Sequence, residues 1–335
     1  MKLLVVGFDG MTPNLLYDWI DELPAFKEFQ IKGVWGNLTS VSPPMTGCAW
    51  PSFFTGMEPA NHGFDENTRR FEDMSYLDVR VPKLWDYLNA EEYSAGMLNI
   101  PLAYPLGPLD GYMVPGRFGP ITRITENVQE LFKGYRQYPI PAETSEVFLK
   151  DQIEVDSQLL NYTLKAAKAI PTDFLGVVFN SSDSIGHWFW GYDGILRDTY
   201  TFLNSILRKL IDEIQPDNVI IMSDHGMNDK DDPLTEDFHK LLAGKGDKVH
   251  LKMLGWHQYD GVFLAMGKDI ISDGTHVESN LIDIAPTILD VFDILLPEKP
   301  MMDGRIMHEI LSKNQLNRDE QNDILHQLRA LGYAE

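Results

Sequence analysis

Three short apolar runs, each ending abruptly in residues able to bind a metal, constrain this chain more tightly than any other feature. Leu3–Phe8 stops at Asp9-Gly10, Phe174–Phe179 gives way to Asn180-Ser181-Ser182-Asp183, and residues 219–222 lead into Ser223-Asp224-His225-Gly226. Such runs, partly β-branched and closed by turn residues, read as strands buried on both faces, the kind found in parallel sheets. Between them the spacing of apolar residues becomes helical, over 152–169 and 199–214. Thr12-Pro13 adds a third helix start, with Thr as N-cap and Pro at the first helical position ahead of Leu15, Leu16, Trp19 and Ile20. Alternating strands and helices predict an α/β fold, a mainly parallel sheet flanked by helices. In such sheets ligands bind beyond the carboxyl ends of the strands, where these polar residues fall.

Length and texture agree with one domain over 1–335. With 335 residues and 44% hydrophobic content the chain can bury a large core. It shows no internal repeat and no linker. Residues 65–150 differ in texture, with Pro101, Tyr104, Pro105, Pro108, Tyr112, Pro115 and Phe118. They read either as a small inserted cap facing the substrate or as connecting loops around a strand at 94–100. Residues 317–331 carry an amphipathic helical pattern.

Charge narrows the partners. A formal net charge of -22 and a pI near 4.7 repel nucleic-acid polymers and anionic membranes. A small anion could still be held by bound divalent metals, which are the largest local charges where they occur. Cys48 is the sole cysteine, so no intramolecular disulfide forms and a reducing, cytoplasmic setting is expected. The apolar start is cut by Asp9-Gly10 short of a signal-peptide core, and no run approaches the ~20 residues of a membrane span. The oligomeric state stays open.

Taken singly, the polar residues have ordinary explanations. Asp9 after a strand commonly caps, and Thr46 before a helical stretch commonly serves as N-cap. Cys48 suits a small apolar position on that helix. Gly47 permits close backbone approach and Gly56 suits the helix end, with a phosphate favoured at the N-terminus between. Asp183 and His187 at i and i+4 share one helical face. Asp224-His225 ends an apolar run with two costly polar groups, and Gly255-Trp256-His257 precedes the apolar 261–264. Jointly, clustered strand-end carboxylates and imidazoles point to metal, because the carboxylates would otherwise repel one another.

The order of these motifs resembles the nucleotide pyrophosphatase/phosphodiesterase branch of the alkaline-phosphatase superfamily. It rests on Phe8-Asp9-Gly10, Thr46 ahead of Ser52-Phe53-Phe54-Thr55-Gly56 and Pro59-Ala60-Asn61-His62-Gly63, Asp183 with His187, Asp224-His225-Gly226 and His257. Ile282-Asp283-Ile284-Ala285-Pro286-Thr287-Ile288-Leu289 and Asp303-Gly304-Arg305 resemble that family's C-terminal core. The resemblance implies that Asp183, His187 and His257 hold one divalent ion, while Asp9, Asp224 and His225 hold a second beside the Thr46 oxygen, itself a ligand. Zinc suits these donors, and manganese or iron is accommodated. His62 is read as fixing a turn, and His239, His250, His276, His308 and His326 receive no chemical role. One departure concerns an Asn that contacts a phosphoryl oxygen in related nucleotide enzymes: near Thr46 this chain offers Ala49 and Trp50.

The expected activity is therefore two-metal hydrolysis of a small-molecule phosphate ester through a phosphothreonine at Thr46, since a free hydroxyl needs a metal or base to become nucleophilic. A phosphodiester is favoured because a monoester dianion needs a further cation, and the segment around Thr46 holds neither Arg nor Lys. Arg117 or Arg123 could reverse that preference by reaching in from 65–150. Alternatives are a phosphomonoesterase or phosphomutase of the same superfamily and a non-catalytic phosphate-ligand binder, which would be expected to have lost ligands. A sulfatase is disfavoured by Trp50 and Ser52 in Cys48-Ala49-Trp50-Pro51-Ser52.

Overall fold

The computed structural model describes residues 1–63, 79–103, 109–117, 124–137, 144–232 and 253–313. Its strands are β1 (Leu3–Phe8), β2 (Val34–Thr39), β3 (Ala95–Ile100), β4 (Gly111–Pro115), β5 (Phe174–Phe179), β6 (Asn218–Met222), β7 (Gly226–Asp229), β8 (Gly255–Gln258), β9 (Asp260–Gly267) and β10 (Thr275–Asn280). Its α-helices are α1 (Pro13–Asp18), α2 (Pro24–Lys32), α3 (Thr46–Thr55), α4 (Pro59–His62), α5 (Leu84–Ala90), α6 (Ser145–Ala169), α7 (Ser181–Phe189), α8 (Asp193–Ile214) and α9 (Ile284–Val291).

Eight strands form one sheet in the order β10-β2-β9-β6-β1-β5-β3-β4. The apolar runs occupy its middle, β1 lying parallel between β5 and β6, and all three are buried at every position. Only β9 opposes its neighbours, running antiparallel to both β6 and β2. Its start, rather than its end, therefore lies at the carboxyl ends of the central strands. The β7–β8 ribbon sits between β6 and that start.

Alternation along β1 divides the core. Leu3 and Val5 join the cluster covered by α3, α5 and α9, while Leu4, Val6 and Phe8 join the one covered by α1, α2, α6 and α8. Each fully buried large apolar side chain contributes about 1.5–3 kcal/mol. Gly7 shows how closely one layer fits: a Cβ there would lie 2.5 Å from Cη2 of Trp50, so the missing side chain makes room for the indole. Among the described residues no helix is long and apolar enough to cross a membrane.

Several local expectations need correction. Thr12 sits at an N-cap position ahead of Pro13, but its hydroxyl makes no cap; it accepts from Gln258 Nε2 at 2.8 Å. The helical spacing from Leu15 to Ile20 is split between α1 and a 3₁₀ turn at Ile20–Glu22. Met45, not Thr46, is the N-cap of α3, so Thr46 is its first helical residue. α6 and α8 both start upstream of the patterns at 152 and 199, α6 with a Thr144 side-chain cap. Within 65–150, β3 and β4 extend the central sheet. The pattern at 317–331 and Arg123, His239, His250 and His326 lie outside the described residues.

Candidate metal and nucleophile site

Four strand ends converge. β1 delivers Asp9, fully buried, with neither carboxylate oxygen finding a hydrogen-bond partner among the described residues. Gly10 follows at φ 67°, where an added Cβ would lie 2.9 Å from Asp183 Cα, so glycine here lets α7 approach β1. β6 delivers Asp224, whose Oδ1 accepts the Gly10 N–H at 3.3 Å, and His225. α7, leaving β5, carries Asp183 and His187 one turn apart, Asp183 Oδ1 standing 3.2 Å from His187 Nε2 and 3.4 Å from His257 Nε2. His257 comes from β8, delivered by the reversal of β9.

The imidazoles share one arrangement. Nδ1 of His187 faces the Gly255 carbonyl at 3.0 Å, Nδ1 of His225 the Gly226 carbonyl at 3.1 Å, and Nδ1 of His257 the Pro44 carbonyl at 2.9 Å. A carbonyl only accepts, so Nδ1 carries the proton and each Nε2 turns a lone pair inward. The Nε2 atoms of His187 and His257 are 3.1 Å apart, and the His225 and His257 rings stack at 3.7 Å. At that distance the two nitrogens need a cation between them, either a proton on His187, which Asp183 favours, or a metal ion. Backbone carbonyls holding the outer nitrogens are the usual outer support of metal-binding histidines.

Electrostatics point the same way. Burial, reinforced by Asp224 and Asp183, holds the Asp9 carboxyl well above the usual range, and burial with the Asp183 charge pushes Asp224 up to about 8. Burial lowers His225 to about 4 and, with His225 adding to it, His257 to about 3. Asp183 is held well below its usual value because, against its burial, His187 and His257 favour its charge; His187 is raised in turn by Asp183, against its own burial. Buried oxygens without donors, inward lone pairs and carboxylates that resist ionising together fit divalent ions. Two candidate groups, Asp183-His225-His257 and Asp9-Asp224-His225, have donor atoms within 4.8 Å of one another, with His225 common to both.

Thr46 lies at the start of α3, 5% exposed, with its Oγ1 3.5 Å from His225 Nε2. The profile of the family described as type I phosphodiesterase / nucleotide pyrophosphatase matches residues 3–288. The chain belongs to this family. Murine ectonucleotide pyrophosphatase/phosphodiesterase 5 superposes with a TM-score of 0.62 at 16% identity, covering 93% of this chain and 100% of that one. A mutant of the alkaline phosphatase PafA gives 0.64 at 13% identity, over 93% and 99% of the two chains. Both share the alkaline-phosphatase-like α/β fold. GPI ethanolamine phosphate transferase 2 of Candida glabrata is 25% identical over 325 residues, 92% of this chain, which spans only 36% of that protein's length.

Beside the candidate site of this phosphodiesterase-family chain, the later motifs brace α3. Gly56 ends α3 in the left-handed conformation, and its carbonyl accepts from Asp303 N at 2.9 Å and Gly304 N at 3.0 Å. The Asp303 carboxylate binds Asn61 Nδ2 and Glu58 N. His62 is buried, 3.2 Å from Ser52 Oγ on α3, and burial lowers it to about 4. It is a pin under the helix, outside the donor cluster. His276 and His308 are exposed and away from it.

Two features were missed or misread from sequence, and one possibility held open there, the approach of Arg117 from 65–150, is realised. Ala49 and Trp50 are fully buried against the sheet, so they do not line the space beside Thr46. Arg117, just past β4, donates through Nη1 to Asp183 Oδ2 at 3.1 Å and through Nη2 to Ser184 Oγ. A cation does reach the cluster from 65–150. Ser182 Oγ donates to the Asp9 carbonyl at 2.6 Å, tying one donor group to the other, and no spacing in the sequence marked it.

Proposed function

We propose that this family member is a two-metal phosphodiesterase in which Thr46 attacks phosphorus. The observation that supports it most directly is the position of the Thr46 hydroxyl: first residue of a ten-residue helix, 3.5 Å from His225, the residue common to both donor groups. The proposed ligands are Asp183, His187 and His257 for one ion, and Asp9, Asp224, His225 and Thr46 for the other, with zinc best matched to this mixture of imidazole and carboxylate. Bound there, two divalent ions would supply charge stabilisation for the attacking and leaving oxygens. The α3 N-terminus adds a favourable dipole for an anionic phosphoryl group.

In the first step the Thr46 oxygen forms a bond to phosphorus while the bond to the leaving oxygen breaks; Thr46 loses its proton and the leaving group gains one. In the second, water attacks the phosphothreonine, the Thr46 oxygen departs and recovers a proton, and a phosphomonoester is released. Arg117 holds Asp183 Oδ2, so that Oδ1 remains turned to His187 and His257. An inactive variant of murine phosphodiesterase 5 has been solved with AMP, which supports a small phosphate ester as ligand. The transferase named among the relatives supports a second reading, in which an alcohol replaces water as acceptor in the second step.

The test is zinc-reconstituted turnover of bis-p-nitrophenyl phosphate by Thr46→Ala and Thr46→Ser. Alanine should abolish turnover with metal content retained, and serine should keep measurable activity. Near wild-type rates in Thr46→Ala would eliminate the covalent route. A higher kcat/KM for p-nitrophenyl phosphate would favour the monoesterase or mutase reading instead.

A further inference from the structure

Outside the donor cluster, one buried carboxylate is used by nothing described so far. Asp156 lies on α6, fully buried, and both its oxygens turn to the junction between β5 and α7. Oδ1 accepts the Asn180 N–H at 3.3 Å; Oδ2 accepts the Ser181 N–H at 2.9 Å and the Ser181 hydroxyl at 2.5 Å. Asn180 is the N-cap of α7 but provides no side-chain cap itself. The cap is therefore supplied from another helix, 24 residues earlier in the chain.

We propose that Asp156 is a positioning residue for the metal group built on Asp183 and His187. Asp156 fixes the first residues of α7 from the α6 side, and Ser182 fixes the next through the Asp9 carbonyl. Asp183 follows immediately and His187 stands one turn on, so the direction in which α7 leaves the sheet sets where Asp183 Oδ1 and His187 Nε2 meet. A carboxylate is an expensive cap in this setting. Burial raises Asp156 to about 6 even though Ser181 and Asn180 pull it back, while a serine or asparagine caps a helix without a buried charge. Two acceptor oxygens on one rigid group can grip two successive N–H groups and a hydroxyl together, which fixes both position and rotation of the turn. Groups hydrogen-bonded directly to metal ligands typically change metal affinity about 10- to 100-fold when removed, and Asp156, which acts through the α7 backbone, is expected at the lower end.

The inference rests on Asp183, His187 and His257 being metal ligands, and the experiment reads that first. Zinc affinity of the full chain is measured by chelator competition in two backgrounds. Asp224→Asn leaves the Asp183 group intact, and Asp183→Asn leaves the Asp224 group. Failure of either background to bind zinc refutes the underlying ligand assignment before Asp156 is touched. Asp156→Asn is then added to each, because asparagine keeps the shape but turns an N–H₂ toward N–H donors. The expected result is at least about tenfold weaker zinc binding in the Asp224→Asn background and little change in the other, with two-state unfolding retained. Unchanged affinity in the first background, or equal loss in both, overturns the proposal. If Asp156→Asn does not fold, Ser181→Ala, which deletes only the hydroxyl contact, is judged by the same two criteria.

Discussion

Replacing Asp224 by asparagine should make the metal-free protein more stable and the zinc-loaded protein less so. Asp224 is fully buried with its folded pKa pushed up to about 8 by burial and the Asp183 charge. An unfolded Asp ionises near 3.9, so at pH 7 the carboxyl must take up a proton on folding, at a cost of about 4 kcal/mol. Asparagine does not titrate and can still accept the Gly10 N–H. With an unfolding entropy near 2.1 cal/mol/K per residue, this chain length converts about 4 kcal/mol into a Tm rise of about 6 °C. The pH dependence is specific. Below about pH 4 both states hold the proton and the gain vanishes; it grows as pH rises and levels off near 8, where the folded carboxyl ionises too. Zinc acts in the opposite direction: an ion bound only to the folded wild type at 1,000 times its Kd stabilises by about 4 kcal/mol, which levels the two proteins, and each further tenfold excess adds about 1.4 kcal/mol and inverts the order. The assay is calorimetry of both proteins from pH 4 to 8, with chelator and with zinc. An Asp224→Asn protein that is less stable than wild type in chelator at pH 7 would refute the claim that the carboxylate is held there at a cost which a cation offsets.

Other outcomes follow from the same geometry. His257→Ala should bring the metal content of reconstituted protein from two ions to one, measured by elemental analysis; an unchanged content would exclude His257 as a ligand. Arg117→Met should lower kcat/KM for p-nitrophenyl phosphate more than for the bis ester, by about tenfold, if the guanidinium serves the extra charge of a monoester. Equal losses would leave it acting through Asp183 alone. Gly10→Ala forces a left-handed φ on a residue with a Cβ and brings that atom against Asp183, so thermal unfolding should show a loss of about 1–3 kcal/mol. No loss would mean that α7 can move away freely.

The candidate donors stood out because each falls where a strong local pattern breaks; the fold gathers them, with His225 rather than His187 in the tightest group around Asp183 and His257. A carboxylate ending six apolar residues is conspicuous, and Asp183 with His187 needs only helical spacing to meet. What the chain did not disclose was direction around and between elements. Trp50 sits four residues from Thr46, yet the helix turns its indole onto Gly7 in the sheet. Arg117 could be named only beside Arg123 as a cation able to reach in, because its arrival depends on the pairing of β4 with β3, a tertiary event with no local mark. Asp156 reads as an ordinary polar position in an amphipathic helix, and only the packing of α6 beside β5 reveals what it grips. The reversed course of β9 was equally hidden, although it explains why His257 precedes its apolar strand when the other candidate ligands follow theirs.

The central place of β1 carries a cost during synthesis. Its two neighbours in the sheet begin at Phe174 and Asn218, so Leu3–Phe8 is made long before either edge it must pair with exists. Until then six uncharged residues, among them the strand formers Val5, Val6 and Phe8, have no native partner, which is the condition under which nascent chains associate with the wrong strand. Pairings of such long sequence separation also form slowly, since the loop must close before any contact rewards it. A nascent chain arrested before residue 218 should therefore remain bound by holdase chaperones, and one extended past His257 should release them.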